Sequence, residues 1–214
     1  MARTPTGSIF SVATAFGAAK TVSGITNAAT AVVTATAHGF SNGDVVEITS
    51  GWGRLNKRAF EIGSVTTDSF TLVGCNTTNT DFFPSGSSGG SVRKATTFTQ
   101  LTKVMNPSSS GGEPKLVTYK YIDSDVEYSI NDGFTATSYT LQLDDDDTTA
   151  GYTALRSLTD VQTDTILKIL LKNGSRIYLP GTVALNDVPS MQDGQIMTMS
   201  VQFSGNARHS RYTA

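Results

Sequence analysis

The side chains able to do chemistry are few and widely spaced. The densest group is the run Asp144-Asp145-Asp146-Asp147. Several carboxylates together are what a hard cation such as calcium or magnesium requires. The calcium-loop spacing is absent, however. Counted from Asp144, the sixth position is Thr149 rather than Gly and the twelfth is Leu155 rather than Glu. The run stands directly before a helix-like segment, so an aspartate capping that helix, with its neighbours near the positive end of the helix dipole, is the simpler reading. The chain has two histidines, His38 and His209, and one cysteine, Cys75. Nucleophilic catalysis needs a nucleophile, a base and an orienting group together. His38 stands in a His-Gly turn and reads as a packing residue, whereas His209 lies in the basic end Arg208-His209-Ser210-Arg211. A single cysteine excludes an intrachain disulfide, and Cys75 reads as a small buried hydrophobe. Gly51-Trp52-Gly53 and Gly111-Gly112 lack the strand-before, helix-after setting of a phosphate loop. Trp52 is either a sugar-stacking platform or a loop aromatic that covers a small barrel, and the area a tryptophan usually buries favours the cover. No catalytic, cofactor-binding or metal residue is assigned, and no cofactor is expected.

Composition narrows the classes further. The 214 residues carry 16 basic and 18 acidic side chains, a net charge of −2. Charged residues make up 16%, against roughly 25% in an ordinary globular domain. There is no basic excess to neutralise phosphates, which argues against a dedicated nucleic-acid binder. No apolar run approaches the roughly 18 residues of a membrane span. The segment Met1 to Phe16 has one Arg and no apolar stretch of the secretion-signal kind. Threonine and serine number 32 and 23. Threonine is stiff at its first torsion and suits a pleated, half-wet surface, so the bias points to strands.

The elements that must position any surface follow from pattern. Asn42-Gly43, Asp132-Gly133, Asn173-Gly174 and Asp193-Gly194 are hairpin signals. The clearest hairpin is Ile166 to Pro180, where a two-residue turn at Asn173-Gly174 predicts Leu170 opposite Ile177 and Ile169 opposite Tyr178. A strand over Ile196 to Phe203 puts Met197, Met199, Val201 and Phe203 on one face and Thr198, Ser200 and Gln202 on the other. Lys115 to Ile122, Phe134 to Leu143 and Ser8 to Phe16 are further strands. Tyr152, Leu155, Leu158 and Val161 recur every three residues, which predicts a short helix over Thr149 to Asp160, packed by that face. The stretches Pro84 to Ser91 and Asn106 to Gly112 read as a flexible connection and a loop. Between Ile25 and Thr80, short alternating segments at Ala31 to Ala37, Val45 to Thr49, Ala59 to Val65 and Ser69 to Val73 predict a small barrel.

Two groups of motifs carry a family resemblance. Ala37-His38-Gly39-Phe40, Asn42-Gly43-Asp44-Val45-Val46, Asn56, Phe60 and Ser69-Phe70-Thr71-Leu72 resemble a small β-barrel module recurrent in bacteriophage tail proteins. Phe98 to Asp125, Tyr139 to Leu143, Gly151 to Arg156, the Ile166 to Leu179 hairpin, Gly181 to Ala184 and Asp193 to Gly205 follow the order of the major tail tube protein of long, non-contractile-tailed phages. The resemblance implies an all-β fold with one short α-helix, a β-sandwich or barrel whose sheet joins neighbours in a ring, plus the inserted barrel. The implied division is 1–24 as N-terminal arm and first strand, 25–82 as an inserted decoration module and 83–214 as the tube domain. The implied function is structural: hexameric rings stacked into the tail tube, with no enzymatic activity. The tube is built around a tape-measure protein, meets a tail terminator and a distal tail protein, and passes double-stranded DNA. Its place is the virion tail, after assembly in the bacterial cytoplasm.

On that reading Thr198, Ser200 and Gln202 are candidates to face the lumen. Arg3, Ser8, Asn106, Ser109, Asp145, Asp146, Arg208 and Arg211 are candidate inter-subunit or inter-ring contacts, and Tyr152, Leu155 and Leu158 form the buried helix face. Two other functions remain open at this point. One is a host-surface or glycan-binding tail appendage, and the other is a single-ring terminator or baseplate protein of the same fold.

Overall fold

Alternating β-branched and aromatic residues put half of the chain into strands. A computed structural model describes residues 4–214. Arg3 therefore lies outside the described residues. In chain order the elements are β1 (Ile9–Phe16), β2 (Lys20–Val22), β3 (Gly24–Ile25), β4 (Val32–Thr34), β5 (Val45–Ser50), β6 (Arg58–Gly63), β7 (Ser69–Leu72) and β8 (Gly90–Leu101). They continue as β9 (Val104–Ser110), β10 (Pro114–Lys120), β11 (Glu127–Phe134), β12 (Ser138–Asp144), α1 (Ala150–Val161), β13 (Thr165–Leu170), β14 (Arg176–Ser190), β15 (Thr198–Gly205) and β16 (Ser210–Tyr212). The fold is all-β with one helix, and the main sheet curls into a half-barrel.

The main sheet runs β3-β4-β7-β6-β5-β8-β1-β13-β14-β15-β12-β9, with β2 on β8 and β16 on β14. Strand β8 joins its two parts. Residues 90–94 of β8 pair with β5, and Ala95 onward pairs with β1. At Gly90 the two backbones come so close that a Cβ would lie 1.9 Å from the Thr49 carbonyl oxygen, so only glycine fits.

Burial separates three apolar clusters. The first gathers Val22 to Val92 around Trp52, Phe60 and Phe70. The second packs Val12, Leu141, Leu167, Val201 and Phe203 under α1. In it Leu155 is fully buried, Leu158 is partly buried, and Tyr152 is half-buried beside it. The helix comes close to β8 because residue 151 is glycine, where a Cβ would stand 3.0 Å from the Gln100 carbonyl oxygen. The third cluster, with Ala13, Val45, Ala59, Ala95, Ile166 and Tyr178, lies where β5 and β6 meet the rest of the sheet.

That meeting is locked by a buried carboxylate. Glu61 on β6 is reached by two Arg176 nitrogens, Nε and Nη2 (the latter at 3.1 Å), and by the Tyr178 hydroxyl at 2.8 Å. Its own backbone N–H donates to the Tyr212 hydroxyl at 3.0 Å. Burial, followed by the bond to Glu61, pushes the Tyr178 hydroxyl far above the ordinary tyrosine range. Lys57 pairs with Asp164 across the same boundary.

Several sequence expectations are corrected by the local geometry. The hairpin register is shifted by one: Leu170 faces Arg176 and Ile169 faces Ile177. The turn is longer than two residues, because Leu171 donates to the Ser175 carbonyl and Gly174, at φ 82°, donates back to Leu171. The segment Phe134 to Leu143 is two strands, since β11 ends at Phe134 and β12 begins at Ser138. Asp132-Gly133 makes no hairpin turn. It lies within β11, with Gly133 at φ 109°, and the turn falls at 121–126. Pro84 to Ser91 is tied down rather than loose, through Trp52 Nε1 to the Pro84 carbonyl (2.7 Å), Ile25 N–H to Ser88 Oγ (3.0 Å) and Gly51 N–H to the Gly89 carbonyl (3.1 Å). Asn106 to Gly112 is mostly strand β9, held by Ser110 on Ser138 (2.7 Å) and Asn106 on Gln142 (2.8 Å). The helix is capped by Thr149, whose hydroxyl accepts from Tyr152 N–H at 3.2 Å, and no aspartate is its cap.

Two stability outcomes follow. Leu155→Ala leaves a cavity in the second cluster and is expected to cost about 2–5 kcal/mol in urea unfolding. Glu61→Ala strands a guanidinium and a phenol at the junction. Its cost is expected near the lower end of about 3–5 kcal/mol, because Arg176 keeps access to water. Unfolding midpoints equal to the parent's would refute either packing assignment.

Candidate assembly surfaces

The polar face of the sheet is built by register. Antiparallel pairing aligns Ser138 with Ser204 and Ser110, Thr140 with Gln202 and Ser108, and Gln142 with Ser200. On the next strand Thr182 faces Ser204, Ala184 faces Gln202 and Asn186 faces Ser200. Alternation sends Leu141, Leu143, Met199, Val201 and Phe203 inward against α1 and leaves these hydroxyls and amides on the opposite side. Ser200 and Gln202 are exposed and Thr198 is half-buried. No charged residue occupies these aligned rows until Asp144, opposite Thr198, at the margin.

Strand β9 is the free edge beside this face, paired to β12 alone. Asn106 and Ser109 are exposed on it. Pro107 removes one N–H from the edge, and Asn106 sits at φ 45°, both of which make it a poor template for indiscriminate pairing. Ser8, half-buried, donates its N–H to the Pro5 carbonyl at 3.0 Å near the start of β1.

Strands β10 and β11 form a separate two-stranded sheet that projects as an arm. Leu116, Val117, Tyr119, Tyr121, Ile122, Val126, Tyr128, Ile130 and Phe134 are all exposed on it. Tyr119 stacks on Tyr128 at 5.5 Å, and Tyr121 meets both rings edge-on. Composition hides this surface, because the arm also carries Lys115, Lys120, Glu127 and Asp132. The legible signal is the adjacent apolar pair Leu116-Val117, which places apolar groups on both faces of β10, followed by Tyr121-Ile122 in the turn after it.

Charge collects at the two ends of β15. At its start, Lys103 Nζ lies 3.1 Å from Asp144 and 2.8 Å from Asp146. The Lys103 ammonium and then Thr148 hold the Asp146 carboxyl down to about 2, while Asp146 and Asp144 raise Lys103. Asp145 is half-buried and Asp147 exposed. Beyond the end of β15, Arg208 lies 5.1 Å above the Phe134 ring at the root of the arm, and Arg211 is exposed on β16. Burial and the guanidiniums of Arg208, Arg58 and Arg211 lower His209. His38 is buried against Phe40 and Phe70, and its Nδ1 accepts from Phe40 N–H at 3.0 Å. Trp52 is 2% exposed, so it offers no stacking platform to a sugar. Cys75 is buried in the first cluster. Among the described residues no helix is long and apolar enough to cross a membrane.

These features define an all-β protein that presents extended surfaces, with its reactive side chains dispersed or used in packing. Residues 50–214 match the model of the phage tail tube protein family, and the chain belongs to that family. It is thereby a structural component of the phage tail, and membership in such a family implies a non-enzymatic role. The matched region begins at the last residue of β5 and includes β6, β7 and the whole of β8. No curated protein matches the sequence.

The Lys103 clamp is open to titration. Asp146 is expected to titrate near pH 2 by side-chain NMR and to move toward the ordinary carboxylate range in Lys103→Ala. Its lowered value means that the clamp's contribution is fully present above the unfolded carboxylate range near 4 and is lost as pH falls through about 2. An unmoved Asp146 in that variant would show that Lys103 does not hold it.

Proposed function

We propose that copies of this chain close into hexameric rings that stack into the tube of a long, non-contractile phage tail, the conduit for double-stranded DNA at ejection. The observation that carries this reading is the arm, whose nine large apolar or aromatic side chains are exposed in the single chain. Monomeric soluble proteins rarely leave such a contiguous patch uncovered, and assembly covers it. The arm and the edge β9 are the joints through which subunits meet.

The uncharged face of β12, β15 and β14, including Thr198, Ser200 and Gln202, lines the lumen. A wall of hydroxyls and amides offers no cations to exchange with the counterions of DNA, so the passing duplex is not held. Ser8, Asn106, Ser109, Asp145, Asp146, Arg208 and Arg211 contribute to contacts between subunits or rings. The 25–82 region decorates the tube and supplies most of one apolar cluster, which Val22, Phe83 and Val92 complete, while 1–24 and 83–214 supply the tube. A tape-measure protein sets the length inside it, and a terminator and a distal tail protein close its ends. The subunits assemble in the host cytoplasm and perform no catalysis.

Electron microscopy of purified protein tests this directly, with filaments or stacked rings expected. Ile122→Ser/Val126→Ser removes apolar surface at the arm tip from solvent-exposed positions outside the tyrosine cluster, so subunit stability should stay within about 0.5 kcal/mol. Assembly yield is expected to fall at least tenfold. Filaments at parental yield would remove the arm from the joint. Single rings that never stack would favour a terminator, and discrete particles adhering to cells would favour an appendage.

A further inference from the structure

Between the β7 end and the C-terminal strand lies a cleft of about 390 Å³, lined by Arg58, Phe60, Cys75, Arg208, His209 and Arg211 among others. Its charge is uncompensated. Among the described residues, no carboxylate lies within 4 Å of Arg58, Arg208 or Arg211. Arg58 is the most confined of the three. Its guanidinium lies 4.6 Å from the Phe60 ring centroid, one nitrogen reaches Ser210 Oγ at a long 3.4 Å, and Nε is buried with no partner. Glu61 is nearby in sequence but is taken up by Arg176 and Tyr178. A partly desolvated guanidinium with an unused donor is stabilised most by an oxyanion, whose lone pairs match its planar fork.

The chain itself supplies a matching group at the far end of the same strand. Thr198, at the start of β15, pairs with Asp144, while Arg208 follows shortly after Gly205 at its end. Eight strand residues span roughly 24–27 Å, so the basic cleft and the acidic run lie at opposite ends of the sheet. The run is in excess of its own cation: Asp144 and Asp146 share Lys103, and Asp145 and Asp147 have no cation within 4 Å. Two copies related head to tail along β15 place one copy's carboxylates at the other's guanidiniums. Such a contact is heterologous and can repeat from copy to copy.

We propose that the Arg58–Arg208–Arg211 cleft is a carboxylate receptor whose occupant is the Asp144–Asp147 run of a second copy of this chain. The inference rests on the assembly reading and names the partner residues within it.

Charge exchange tests it in the full-length chain, with circular dichroism as the check on folding. At low salt, Arg208→Glu/Arg211→Glu and Asp145→Lys/Asp147→Lys are each expected to slow assembly at least tenfold, followed by light scattering. The chain carrying all four substitutions is expected to recover to within about threefold of the parent. Either reversal assembling at the parental rate would overturn the proposal. So would recovery of the arginine variant by Asp123→Lys/Asp125→Lys at the arm tip instead, since the donor would then be the arm. A second measurement is independent of assembly. Citrate, a soluble carboxylate, is expected to raise the melting temperature of the unassembled parent by about 3 °C at tenfold its dissociation constant, and to leave Arg208→Glu/Arg211→Glu unmoved. Absence of any citrate shift overturns the receptor. A citrate shift in a parent that never assembles supports the receptor while overturning both the assembly reading and the second copy as its occupant.

Discussion

The structure depends on the continuity of β8. Its twelve residues serve two sets of partners in succession, β5 and β2 through its first half and β1 through its second. A strand in one sheet ordinarily ends where that sheet ends. Here the same backbone carries hydrogen bonds from the region around Trp52 and Phe70 into the sheet that covers α1. Bending at this joint would break ladder bonds, and the Glu61, Arg176 and Tyr178 group closes the angle from the other side. The 25–82 region is therefore held by main chain and by a buried ionic group, and it has no hinge of the kind that a flexible linker provides.

Charge placement gives the molecule a direction. The large polar face carries amides and hydroxyls, while ionic groups gather at its margins: carboxylates by Thr198, guanidiniums past Gly205, and paired ions at the β8 junction. A sheet face free of charge has a weak field of its own, so its interaction with any passing polyelectrolyte is governed by water and shape rather than by ion exchange. The low proportion of charged residues thus reflects a large surface kept clear of them, together with ends where the charges are concentrated.

Much of this was legible in the sequence because it is local. The helix over 150–161 followed from the spacing of Tyr152, Leu155 and Leu158, although Val161, expected on the same packed face, is exposed at the last turn. Strand β15 followed from the alternation of Met199, Val201 and Phe203 with Ser200 and Gln202, but it begins at Thr198 rather than Ile196 and leaves Met197 exposed. The burial of Trp52 and Cys75 followed from residue type. What was illegible depended on partners far away in the chain. Pro84 to Ser91 has the composition of a linker, yet Ser88 is fixed by Ile25 and Ser50. Asn106 to Ser110 has the composition of a loop, yet it pairs with β12 because matching serines and amides lie across the gap. Nothing in the surroundings of Glu61, Lys103 or Arg58 announces its role, since the group that decides it is 43 to 152 residues away. The one-residue error in the Asn173-Gly174 hairpin has a different origin. Turn length sets register, and Leu171 and Ser175 extend the turn by a backbone bond that no residue type advertises.

The tyrosine cluster on the arm has a kinetic meaning. Isolated two-stranded hairpins are at best marginally stable in water, and a segment that folds only on binding loses its chain entropy at that moment. Tyr119, Tyr121 and Tyr128 support the hairpin from within before any neighbour arrives. An arm already shaped brings most of its ordering cost into the folding of the subunit, so association loses less entropy and proceeds closer to the rate of encounter. In the proposed tube the same preformed apolar surface is exposed in every free subunit, which makes the supply of subunits, rather than their folding, the natural point at which growth is restrained.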